Sequence, residues 1–97
     1  MARLSESEII TRLATLPGWS FSNNSINKLF RFKAFMAGID FVNRIAPIAE
    51  AADHHPDILI NYSRITFSCT THSQGGVTEK DFALANQIEK EFTAGGA

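Results

Sequence analysis

The stretch EAADHHPDILINYSRITFSCTTH, Glu50 to His72, changes its hydrophobic period at one point. Ahead of it the apolar residues recur at helical intervals. Beyond Pro56 they alternate, with Ile58, Ile60 and Tyr62 on one parity and then Ile65, Phe67 and Cys69 on one parity. A proline restricts the residue before it to extended backbone, so Pro56 ends the helix where the pair His54–His55 begins. The alternating runs predict a hairpin with a short turn near Ser63 and Arg64. The two adjacent histidines therefore lie at a helix-to-strand junction, a common location for functional side chains.

Upstream, residues 34 to about 52 read as the main helix. Phe35, Ile39, Val42, Ala46 and Ala49 make one stripe, and Phe41, Ile45 and Ile48 widen it. Pro47 removes one hydrogen bond there and crowds the carbonyl of Asn43, which predicts a kink just ahead of Glu50. Earlier still, WSFSNNSINKLFRFK (Trp19–Lys33) carries an Asn-Asn-Ser turn signal, with Trp19, Phe21, Ile26, Phe30 and Phe32 at alternating positions, a first hairpin. In SESEIITRLATLPGW (Ser5–Trp19), Ser5 and Glu8 have capping-box spacing. Ile9, Leu13 and Leu16 follow at helical intervals until Pro17 and Gly18.

Downstream, two glycines and a candidate cap at Thr78 introduce a third helix with Ala85, Ile88 and Phe92 on one face. The small-residue tail Thr93–Ala97 reads as frayed. The order α-β-β-α-β-β-α, with an apolar face on each hairpin, predicts an α+β fold: one four-stranded antiparallel sheet covered by three helices on a single face. All 97 residues form one domain on this reading.

Nine basic residues against ten acidic ones leave a charge of -1, with no basic cluster, which disfavours direct nucleic-acid binding. No run of eighteen apolar residues and no signal-peptide core is present, so no membrane span is expected and a cytoplasmic location is the default. The single Cys69, in an apolar alternating run, reads as a small buried hydrophobe. Nucleotide-binding glycine motifs, C-x-x-C and H-E-x-x-H are all absent.

The chain has three histidines, and imidazole can both give and take a proton near neutral pH. His72 lies at the far end of the last strand, and a tight second hairpin would bring it back beside His54 and His55. Zinc is a competing use of imidazoles with a carboxylate, but adjacent residues in extended backbone point to opposite sides, which suits chelation by the pair poorly. Each candidate also has a plain structural reading. The histidine pair can be a solvated loop, Glu50 a solvated helix residue, and Asp81 the closing residue of a T-x-x-D capping box begun by Thr78.

Glu50, His54-His55-Pro56, Tyr62, His72 and Asp81 match in type and interval the signature of the pterin-4a-carbinolamine dehydratase family, which the sequence resembles from about Leu4 to Phe92. LPGWSF and LFRFKAFMAGIDFVNRIA are similar to that family's first hairpin and central helix. The resemblance implies the same sheet-and-three-helix fold. It also implies dehydration of 4a-hydroxytetrahydrobiopterin to quinonoid dihydrobiopterin, a step in recycling tetrahydrobiopterin for aromatic amino-acid hydroxylases.

By the same resemblance, His54 and His72 are the acid/base pair, His55 binds and orients the ring, and Asp81 and Glu50 hold imidazoles in the required tautomer. Pro56, with backbone groups near Thr71, Ser73 and Gln74, completes the pterin contacts. No metal and no cofactor is implied. A homo-oligomer, dimer or tetramer, is expected because so broadly apolar a main helix would leave hydrophobic surface on a lone subunit. The alternative function is a protein-interaction module, since some relatives act as dimerisation cofactors of a transcription factor.

Overall fold

Ser5 and Glu8 set the first helix. In the computed structural model, which describes residues 2–94, the Ser5 hydroxyl accepts the Glu8 N–H at 3.2 Å and the Glu8 carboxylate accepts the Ser5 N–H at 2.9 Å. That reciprocal cap starts α1 (Glu6–Leu13) and holds the Glu8 carboxyl below its ordinary pKa, through the two Ser5 hydrogen bonds. The chain then turns through Pro17 and Gly18 into the hairpin of β1 (Ser20–Ser22) and β2 (Ser25–Arg31). Asn23 and Asn24 form its two-residue loop with φ of 51° and 60°, a conformation Asn tolerates better than most residues.

Helix α2 (Phe35–Ala52) follows and continues through Pro47. Its core stripe differs from the expected one. Gly38, Phe41, Ile45 and Ala49 are buried, whereas Phe35 is 43% exposed and Ala46 faces outward. Both stripes are apolar, so periodicity alone does not select between them. Gly38 settles the choice, because a Cβ there would lie 2.8 Å from Ile65 Cδ1: the missing side chain is where helix and sheet approach each other.

Strands β3 (Asp57–Asn61) and β4 (Arg64–Cys69) make the second hairpin. Its loop is Tyr62–Ser63, one residue earlier than expected, with Asn61 opposite Arg64 and Tyr62 held at φ 54°. The strands pair antiparallel in the order β1-β2-β4-β3. One sheet face carries Ile26, Phe30, Ile65, Phe67 and Cys69, all buried under the helices. The opposite face carries Leu29 and Leu59, which are exposed.

Phe30 is the centre of the core, with ring centroids of Phe92, Phe41 and Phe67 at 4.8, 5.5 and 5.8 Å. Edge and tilted contacts of this kind each add about 0.5–1.5 kcal/mol beyond the area they bury. Helix α3 (Glu79–Ala94) closes the layer, tied to α1 by the Arg12–Glu79 ion pair. It meets the first hairpin through Glu89, which accepts Trp19 Nε1–H at 3.1 Å and Lys28 Nζ–H at 2.7 Å. Thr93 and Ala94 of the tail expected to fray are the last residues of α3, and residues 95–97 lie outside those described.

Cys69 is fully buried on the core face, and burial, followed by the charges of Asp81 and Asp57, pushes its thiol far above the ordinary value. An alkylating reagent should therefore label none of the native protein at neutral pH and one thiol per chain in denaturant, as counted by mass spectrometry. Rapid labelling of the native chain would contradict the burial.

Candidate active site

The end of α2 aims the histidine pair. Asp53 takes a left-handed conformation at φ 51°, its N–H donates to Glu50 O at 3.1 Å, and the His54 N–H donates to Ala49 O, also at 3.1 Å. This pattern ends a helix by satisfying its last carbonyls, and it fixes the direction in which His54 leaves. The His54 side chain is 11% exposed, and its Nε2 lies 2.6 Å from Asp81 Oδ1.

Asp81 stands in the first turn of α3 and is completely buried. Its second oxygen, Oδ2, accepts the Thr78 N–H at 2.9 Å and the Thr71 hydroxyl at 2.8 Å. Because Thr71 gives its hydrogen to Asp81, the Thr78 hydroxyl must be the donor in the 2.8 Å Thr71–Thr78 contact, while Thr78 Oγ1 accepts the Lys80 N–H at 3.2 Å. Every hydrogen in this chain of donors then has one direction. An isolated buried carboxylate would cost several kcal/mol, and these donors with the helix N-terminus offset that cost.

A carboxylate has no hydrogen to give. With Oδ2 filled by two donors, Oδ1 can only accept from His54, so the tautomer of the ring that fits this contact carries its proton on Nε2 and its lone pair on Nδ1. Asp81 thus uses both oxygens: Oδ2 takes the capping contacts with Thr78 and Thr71, and Oδ1 lies against His54.

His55 Nε2 lies 2.7 Å from Glu50 Oε1, so the carboxylate still reaches its histidine from beyond Pro47. Both side chains are more than half exposed, and solvent weakens that pair accordingly. The neighbouring histidines line separate concavities. His54 borders one of about 450 Å³ between α2 and α3, walled by Ile48, Ala51, Lys80 and Leu84. His55 borders another of about 490 Å³ with Glu50, Pro47, Pro56 and Ile58.

His72 is not on the last strand, which ends at Cys69. It opens a 3₁₀ turn, His72–Gln74, whose three residues are exposed. A fourth strand reaching His72 would need continued sheet pairing, but the chain past Cys69 folds back on itself through an isolated bridge between Thr71 and Gly76. Thr71 is buried, and its backbone groups are engaged: its N–H donates to Gly76 O, and its carbonyl accepts from Gln74 and Gly76. Thr71 thus supports Asp81 from below, which leaves Ser73 and Gln74 as the exposed members of the expected pterin-edge set. Thr78 is the site residue that sequence reading missed as such, although its T-x-x-D spacing to Asp81 was the available signal. Among the described residues, no group of three or more His, Cys, Asp or Glu side chains is arranged to hold a metal ion, and no helix is long and apolar enough to cross a membrane.

This small α+β domain anchors one histidine on a buried carboxylate and places further histidines at the same end of the sheet. The sequence pattern of the family Pterin 4 alpha carbinolamine dehydratase matches residues 2–91, and the chain belongs to that family. It is 55% identical over 91 residues to a protein of Chloroflexus aggregans that bears the provisional name pterin-4-alpha-carbinolamine dehydratase, covering 93% of this chain and 97% of that one. A protein of the same provisional name from Sulfolobus acidocaldarius is 50% identical over 88 residues, covering 91% and 97%. The crystal structure of a transcriptional coactivator/pterin dehydratase from Brucella melitensis superposes with a TM-score of 0.87 at 36% identity, covering 92% of this chain and 97% of that one.

Proposed function

We propose that the protein removes water from 4a-hydroxytetrahydrobiopterin to give quinonoid dihydrobiopterin, in the recycling of tetrahydrobiopterin. The observation that carries the reading is the fully buried Asp81, whose Oδ1 lies 2.6 Å from His54 Nε2. In the reaction the C4a–O bond breaks and the N5–H proton is lost, so a base must take the N5 proton while an acid delivers one to the departing hydroxyl, which leaves as water. His54 and His72 are the two groups assigned to these transfers. His55, held by Glu50 beside Pro56, orients the ring, and Ser73 and Gln74 meet its amide-like edge.

The test is the rate of water loss from synthetic 4a-hydroxytetrahydropterin, followed by absorbance with and without protein. Acceleration that survives dialysis against a strong chelator is expected. A rate equal to buffer would remove the reading, and a rate abolished by chelation and restored by zinc would replace it with metal catalysis.

A second reading, a transcriptional coactivator, is favoured by the compound name of the Brucella structure and by Phe35 and Met36, which are 43% and 59% exposed on α2. A partner on that helix would not require the histidines, so binding that persists in histidine variants separates the two roles.

A further inference from the structure

The turn that carries His72 is held from outside by residues distant in sequence. Asn24, at the tip of the first hairpin, reaches both ends of it. Its backbone carbonyl accepts the Thr70 hydroxyl at 2.8 Å, just before the turn, and its side-chain Nδ2 donates to Gly75 O at 2.8 Å, just after it. Arg3 adds a second donor to the same carbonyl, Nη1 to Gly75 O at 3.3 Å. Its stem lies over Gly76 so closely that a Cβ there would be 2.4 Å from Arg3 Cδ. The next residue, Leu4, continues the strap by donating its N–H to Val77 O at 2.8 Å.

From inside, Thr71 is anchored through its hydroxyl to Asp81 and Thr78 and donates its N–H to Gly76 O at 3.0 Å. The residues that follow it make short local bonds: Gln74 N–H to Thr71 O at 3.0 Å, Gly75 N–H to His72 O at 3.1 Å, and Gly76 N–H to Thr71 O at 3.3 Å. A 3₁₀ turn of three exposed residues with a left-handed Gly75 (φ 73°) at its end does not fix a side chain's position by itself. Tenths of an ångström matter to a proton-transfer group, so what holds the turn controls what His72 can do.

We infer that Asn24 and Arg3 are positioning residues for the dehydration: they clamp the 70–76 turn at Thr70 and Gly75 and so set the placement of His72. The inference rests on the dehydratase reading given above, in which His72 is a proton carrier. Asn24 is the stronger of the two, because its bonds bracket the turn and its own backbone is fixed by the hairpin.

The hairpin also supplies a variant that separates positioning from folding. Asn24 has φ 60°, which glycine adopts without strain, and Asn-Gly is a favoured pair for this loop. Asn24→Gly therefore keeps the loop and the carbonyl that receives Thr70, and removes only the donor to Gly75. The expected result is native stability with kcat lowered about fivefold, the rate equivalent of one typical hydrogen bond, and KM little changed. Placed on His72→Ala, the same change should have no further effect. Arg3→Ala should lower kcat in the same direction, and Arg3→Lys, which keeps the stem and a donor, should restore it.

Wild-type kcat in folded Asn24→Gly, or an undiminished loss in the His72→Ala background, overturns the inference. Should wild-type protein fail to accelerate dehydration, the parent reading falls, and amide hydrogen exchange decides the clamp alone. Faster exchange at Gln74, Gly75 and Gly76 in Asn24→Gly than in wild type, with sheet amides unchanged, supports it; equal rates at those three positions refute it.

Discussion

Replacing either His54 or His72 with alanine is expected to slow dehydration by roughly 10²–10⁴-fold, the usual contribution of a general acid or base. In the proposed reaction both groups serve loss of one hydroxyl, so the double variant should be far less impaired than the product of the two single losses. The structure adds a contrast in stability. His72 is exposed on its turn, so its removal should leave the urea midpoint almost unchanged, whereas His54→Ala leaves Asp81 Oδ1 without its donor inside the protein. Turnover and urea unfolding of both single variants and the double variant provide the comparison. Wild-type rates in all three folded proteins would remove the catalytic assignment and favour the interaction module.

The second large effect is at Asp81. Asp81→Ala deprives the Thr78 N–H, the Thr71 hydroxyl and His54 Nε2 of their acceptor together, and unfolding stability should fall by about 3 kcal/mol or more. Asp81→Asn is the sharper experiment. The amide oxygen can still serve Thr78 and Thr71, which leaves the NH₂ facing His54, so Nε2 must become an acceptor and the ring proton moves to Nδ1. Activity should then drop to roughly the level of His54→Ala, about 10²–10⁴-fold, with a much smaller loss of stability; an Asp-to-Asn change behind a serine-protease histidine behaves this way. Near-wild-type turnover in Asp81→Asn would mean that the tautomer of His54 does not matter. NMR of the His54 ring nitrogens reports the tautomer directly.

The order of elements and the single-sided cover were legible because each depends on local signals: the Ser5–Glu8 box, the Asn-Asn loop, the Pro56 stop and the switch from helical to alternating spacing. The registry of α2 was not legible. Its apolar surface is wide enough to offer two stripes, and only the contact between Gly38 and Ile65, distant in sequence, selects one. The Tyr62–Ser63 loop escaped for a related reason. Turn signals are Gly, Asn and Asp, and a tyrosine in left-handed backbone gives none. At the site, the resemblance implied only that Asp81 and Glu50 hold imidazoles; that Asp81 meets His54 and Glu50 meets His55 is what the geometry adds. The Thr71–Thr78 support of Asp81 depended on a fold-back after Cys69 that no periodicity announces.

Asp53, the left-handed residue that stops α2, differs in kind from its neighbours. What the molecule requires there is a backbone conformation, open to glycine and asparagine as well as aspartate, because the carboxylate makes none of the hydrogen bonds that end the helix. At His54 and Asp81, one position and 28 positions further along, it requires particular atoms. The junction is thus written in two alphabets, one of shape and one of chemistry, and drift in the first can proceed without disturbing the second. A lineage could exchange residue 53 freely within that small set while its histidines stayed aimed at the same place.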